Sequence, residues 1–279
     1  MNKVYHIFCT TQFKPCSSAT VATKWIQYLF VVCLLIICND VLPAGAQKRE
    51  IAVAREQLKM GKELDKVQNS MEKLLKDSTL RNNEKIWLLL YESVYKQYEQ
   101  GNEKLYLKQP YDTAQLFTLT QKLFGIAESI DAIEVSNTKM NKAKQKWRKK
   151  HAEELHLIRP NLYNGGLFWI RKQNYVEAYR CLDTYIDGAH QPLLRNYDYA
   201  TKDSHIPQAA YWAMYCGYKL KNSKMALHYA YWALKDTAHY QHTLQYLAET
   251  YYRDRDTSRY ITTLNEGFRL YPKANYFFS

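Results

Sequence analysis

Three helical hairpins in the C-terminal half of the chain fall into one register, with a period of about 34 residues. In the last, Leu244, Leu247, Ala248 and Tyr251 are followed by Leu264, Gly267 and Pro272. In the middle one, Ala210, Ala213, Met214 and Gly217 are followed by Ala226, Ala230 and Ala233. In the first, Leu162, Gly165, Gly166 and Trp169 are followed by Tyr175, Ala178, Leu182 and Tyr185. Ala226 lies one period before its equivalent Tyr260, and Ala178 lies one period plus an insertion before Ala226. A fixed period of this length constrains a fold strongly. Each unit is a helix–turn–helix that cannot bury its apolar face alone, and stacked neighbours bury a continuous core. The expected class is therefore all-α.

Gly166 and Ala248 fill a first small slot, where paired helices touch, and Trp169 and Tyr251 an aromatic slot. Ala178 and Ala226 fill a second small slot, and Pro272 closes the third unit. This order over residues 160–279 resembles the tetratricopeptide-repeat (TPR) family. Met214 and Gly217 depart from it, as if their sizes were exchanged, and Tyr260 stands in place of the second Ala. The resemblance implies a TPR-like superhelical array of antiparallel helical hairpins. It implies no catalysis, but docking of a protein or peptide partner on a concave face lined by the first helices, residues 161–171, 208–219 and 243–253. A non-repetitive helical bundle with Ala and aromatic stripes is the alternative. The small slot predicts that Gly166→Leu destabilises while Gly166→Ala is tolerated, Ala being the better helix former.

The first 46 residues read as a leader. Lys24 precedes an apolar run from Trp25 to Cys38, and Ala44 and Ala46 fit a signal-peptidase site. The run 26–38 is short for a membrane span of about 20 residues, so a retained anchor is the weaker alternative. Cleavage after Ala46 implies a protein exported to the periplasm or exterior of a Gram-negative cell, with no transmembrane helix after processing. The chain carries 39 basic and 27 acidic residues; losing Lys3, Lys14, Lys24 and Asp40 with the leader leaves +10. Such a protein meets acidic proteins, anionic surfaces or polyanionic glycans, and nucleic acid is not an expected partner outside the cytoplasm. Cys181 and Cys216 remain after cleavage. They read as small buried thiols, with a disulfide as the alternative.

From Gln47 the chain reads as helix almost throughout. Residues 47–159 form an N-terminal helical region with degenerate repeats and a basic helix, and residues 160–279 the repeats, expected to be truncated at Ser279. Helices are expected at 49–60, stopped by Gly61, then along Leu64, Val67, Met71 and Leu74, then at 84–100. A long loop at 101–111 precedes a helix capped by Asp112 and Thr113 and ending near Ile130. One basic helix is expected over 137–158.

Candidate sites are sparse. The sequence has no G-x-S-x-G, P-loop or GxGxxG motif, and no catalytic residue, cofactor or metal is expected. His151 and His156 are five apart, about 140° around a helix. They suit a solvated helix surface rather than zinc. His239 and His242 lack a third ligand. Two features suit binding. The insertion 187–206 carries Tyr197 and Tyr199, and the next helix carries Tyr211, Tyr215 and Tyr218 at i, i+4 and i+7, a face readable as docking surface or as core. The run 139–150 carries Lys142, Lys146, Arg148, Lys149 and Lys150 with no acid among them. It reads as a solvated face or as a patch for anionic lipid or glycan. The function expected is a non-enzymatic docking scaffold in the cell envelope, with envelope polyanion binding as the alternative.

Overall fold

The turn closing each registered hairpin has the same backbone. Gln173, Lys221 and Arg255 are left-handed, with φ of 57°, 53° and 59°. They recur at the same steps as the sequence slots. The next residue reaches back in each case: the N–H groups of Asn174, Asn222 and Asp256 donate to the carbonyls of Trp169, Gly217 and Tyr251 at 3.0, 2.9 and 2.9 Å. This is the six-to-one bond of a Schellman C-cap. The same three side chains then accept from the N–H groups of Glu177, Met225 and Arg259. One residue thus ends one helix and caps the next, which fixes a tight antiparallel turn.

The computed structural model describes residues 44–141 and 146–278, and these are all-α, with no strand among them. The helices are α1 (Ala44–Met60), α2 (Leu64–Leu74), α3 (Glu84–Tyr106), α4 (Thr113–Asn141), α5 (Arg148–Ile158), α6 (Pro160–Arg171) and α7 (Tyr175–Asp187). A 3-10 turn (Pro192–Tyr197) and the single turn α8 (Tyr199–Lys202) follow. Then come α9 (Ile206–Lys219), α10 (Ser223–His228), α11 (Ala230–Ala233), α12 (Tyr240–Arg253), α13 (Thr257–Leu270) and a 3-10 turn (Asn275–Phe278). Residues from Glu50 onward form one unit. Within it α6 pairs with α7, α9 with α10–α11, and α12 with α13, while α3 packs on α2 and α4. The expected leader lies outside the described residues except for Ala44–Ala46, which open α1, and Lys142 also lies outside them.

The small slots are where helices meet. A Cβ at Gly166 would sit 2.5 Å from Leu182 Cγ, and one at Gly217 would run into the backbone of Ala226. Met214 beside it is fully buried. The middle hairpin therefore makes its close approach one turn later, at Gly217, and fills the usual slot with a flexible thioether. A methyl group at Gly166 requires the fully buried Leu182 side chain to shift, a smaller demand than the movement of backbone that one at Gly217 requires.

Three expected boundaries are corrected. Helix α3 runs through Gly101 to Tyr106, and the Tyr111 ring lies where a Gly101 side chain would be. The expected loop 101–111 shrinks accordingly. Helix α4 continues past Ile130 to Asn141, and the single basic helix expected over 137–158 begins instead at Arg148. Asp131 and Glu134 resemble a solvent-facing break in the sequence, yet they are 6% and 5% exposed. Glu134 accepts from the N–H groups of Lys146 and Trp147 at the start of α5, and Asp131 binds Arg148.

Candidate functional site

The first helices of the three hairpins, α6, α9 and α12, touch in succession. Their seam is aromatic. Tyr163 of α6 donates to Gln208 Oε1 of α9 at 2.7 Å, and Tyr218 of α9 donates to Glu249 Oε2 of α12 at 2.6 Å. Between them Tyr211 stacks on His239, centroids 4.2 Å apart, and Tyr218 on Tyr246 at 4.5 Å. Trp212 and Tyr215 close the gap edge to face at 5.8 Å, and Tyr215 lies 5.6 Å from Tyr246. The Lys219 ammonium stands 5.7 Å from the Tyr215 ring and 5.9 Å from Tyr175. Burial, then the Tyr175 contact, pushes the Tyr215 phenol up to about 12. The Glu249 hydrogen bond, then burial, does the same to Tyr218. Both phenols stay protonated, so the seam presents neutral rings and O–H groups held in place by one another.

The five sequence-marked tyrosines divide. Tyr215, Tyr218 and Tyr197 are half-buried, with ring surface open to solvent. Tyr211, at 4% exposure, is packing: it faces the next hairpin through His239 and Tyr246. Tyr199, at 9%, belongs to a buried charge cluster. There Arg159 Nη1 pairs with Asp203 Oδ2 at 2.5 Å, and its Nη2 donates to the Tyr185 carbonyl at 2.9 Å. Its guanidinium lies between the Tyr185 and Tyr199 rings, 3.7 and 3.9 Å from their centroids. Tyr185 donates its hydroxyl to the same Asp203 oxygen at 2.6 Å, and His156 Nδ1 meets the Tyr199 hydroxyl at 2.6 Å. Leu193 and Leu194 are buried beneath. The insertion is therefore folded onto the hairpins rather than held out as a loop.

Trp212, Tyr246 and exposed His242 complete the open stripe; the sequence reading did not single out Trp212 or Tyr246, and weighed His242 only as a metal ligand. The signal was present: Tyr246 follows Trp212 by one full period.

The basic stretch is less free than its sequence. Arg148 makes a two-pronged bond to Asp131 at 2.5 and 2.7 Å. Lys149 and Lys150 lie 3.9 and 3.7 Å from Glu153 and Glu154, one helical turn on. Lys146 is exposed. The reading of His151 as solvated surface is corrected: it is 2% exposed, its ring 4.1 Å from Tyr91 and stacked with Trp147. His239 turns to Asp236, at 2.7 Å. Cys181 and Cys216 are free and buried, and burial pushes both thiols up to about 12, which leaves them unreactive. No helix among the described residues is long and apolar enough to cross a membrane. Compared with protein-family models, curated proteins and solved structures, the chain matches none.

Proposed function

We infer that this is an exported, non-enzymatic docking protein whose hairpins form a TPR-like superhelical array. The partner, a protein or peptide, lies across the seam of the first helices. One observation carries the reading: a continuous stripe of half-buried rings crosses successive first helices, and its members are braced by each other. Rings held this way offer contact area at little entropic cost on binding. Envelope polyanion binding through the basic stretch is supported less, because Arg148 is already paired and Lys149 and Lys150 have carboxylates nearby.

The test is capture from cell-envelope extract by wild type and by the double variant Tyr215→Ala, His242→Ala. Docking on the stripe gives lost capture with a nearly unchanged melting temperature, and capture that survives high salt. Capture that disappears in salt but ignores the double variant would instead indicate polyanion binding.

A further inference from the structure

Tyr260 departs from the repeat, and docking on the stripe leaves it unused. It stands one period after Ala226, in the small slot that Ala178 and Ala226 fill with fully buried methyl groups. Tyr260 is only half-buried, and its ring meets that of Tyr252, centroids 5.3 Å apart and planes tilted by 50°. Tyr252 stands one period after Tyr218, which is stacked by Tyr246 of the following hairpin. Tyr252 is 70% exposed instead. The two rings wall a cleft of about 460 Å³, whose other lining residues are Arg253, Arg255 and Thr257. Sites for small molecules run from about 300 to 1,000 Å³. None of the five residues belongs to the aromatic stripe. Arg253 ends α12, and the left-handed φ of 59° at Arg255 fixes where that side chain leaves the turn. Both are exposed, and neither has a carboxylate of the described residues within ion-pair range. The acids beside them are engaged elsewhere: Asp254 accepts from Ser223, and Asp256 caps α13 and pairs with Arg259.

We propose that this cleft binds a pyranose sugar carrying a carboxylate or a phosphate. A chair-form ring presents C–H bonds on its face and on its edge, so it meets both tilted tyrosine rings, whose faces are electron-rich. A flat aromatic ligand would lie against one ring and leave the other bare. The anionic group pairs with the Arg253 and Arg255 guanidinium groups, which match a carboxylate or phosphate in shape. The Tyr252, Thr257 and Tyr260 hydroxyls meet those of the sugar. The site goes beyond the docking reading and does not depend on it.

Affinities are measured by titration calorimetry with glucose 6-phosphate, glucose, inorganic phosphate and a galacturonate tetramer. Wild type is expected to bind glucose 6-phosphate about tenfold more tightly than glucose or phosphate, because it alone of the three uses both the rings and the cations. Arg255→Gln should weaken that binding about fivefold, as one exposed ion pair allows. Tyr252→Ala should weaken it about tenfold through the lost ring. Tyr260→Ala places in the slot the residue of the other two hairpins, so it should keep the fold, checked by its melting temperature, and lose binding to the same extent. A tetramer that binds more tightly than glucose 6-phosphate identifies a glycan chain as the source of the sugar; one that binds more weakly identifies a free sugar phosphate. Phosphate or glucose binding as tightly as glucose 6-phosphate overturns the proposal. So does a Tyr252→Ala variant that binds as wild type does, or the absence of saturable binding by either anionic sugar at millimolar concentration. Failure of the docking reading is separate: Tyr215→Ala with His242→Ala should leave all of these affinities unchanged.

Discussion

At the scale of single residues, the informative positions are those with no side chain. Gly217 meets backbone and Gly166 meets the end of a leucine, so equal substitutions have unequal costs. Backbone of two paired helices moves only as a unit, whereas a side chain has rotamers. Gly217→Ala should lower stability by about 3 kcal/mol and Gly166→Ala by about 1 kcal/mol, the upper and lower parts of the overpacking range. Urea denaturation of the two variants measures this; equal losses would show that Leu182 is as fixed as the Ala226 backbone.

At the scale of elements, the hairpins were legible and their surroundings were not. Small and aromatic slots at fixed steps located α6, α7, α9, α12 and α13, and Asn174, Asn222 and Asp256 are readable caps. The left-handed turn residues were hidden because they are Gln, Lys and Arg, not Gly. A left-handed residue with a side chain costs about 1–2 kcal/mol, and glycine avoids most of that. Lys221→Gly should therefore raise stability by about 0.5–1 kcal/mol, with Gln173→Gly and Arg255→Gly adding similar amounts in chemical denaturation. The extent of α4 was missed because Asp131 and Glu134 are buried through partners 12 to 17 residues away. The aromatic stripe was half legible. Helical spacing grouped Tyr211, Tyr215 and Tyr218, but which ring is covered depends on His239 and Tyr246 of the next hairpin. A pH response belongs to the α4–α7 contact, where Glu128 faces Asp183 and Asp187 of α7, with Lys122 on its own helix and Gln121, Thr184 and Gln191 around it. Tyr229 donates to both aspartates. Burial first, and Asp187 second, push Glu128 up from 4.5 to about 7. A carboxyl raised by folding is neutral in the folded protein, so its contribution is whole below its ordinary value. It is lost as pH rises and is gone above about 7. Glu128→Gln should match wild type near pH 4 and exceed it near pH 8 in a stability profile; parallel profiles would remove Glu128 as the cause.

At the scale of the molecule, an array of repeats usually comes apart one unit at a time, because each unit touches only its neighbours. The Arg159–Asp203 pair interrupts that sequence. It joins two points 44 residues apart and encloses all of α6 and α7 between them. Stretched by its ends in an optical trap, the chain should yield its C-terminal hairpins in small steps. Those steps stop at Asp203, where load passes directly to Arg159 and leaves the enclosed hairpin slack. When the pair parts, the enclosed chain is released at once, up to about 15 nm at the contour length of an extended chain. Asp203→Asn should break that event into smaller ones at lower force. The insertion that interrupts the period thus acts as a mechanical clasp, setting the load at which the first hairpin begins to give way.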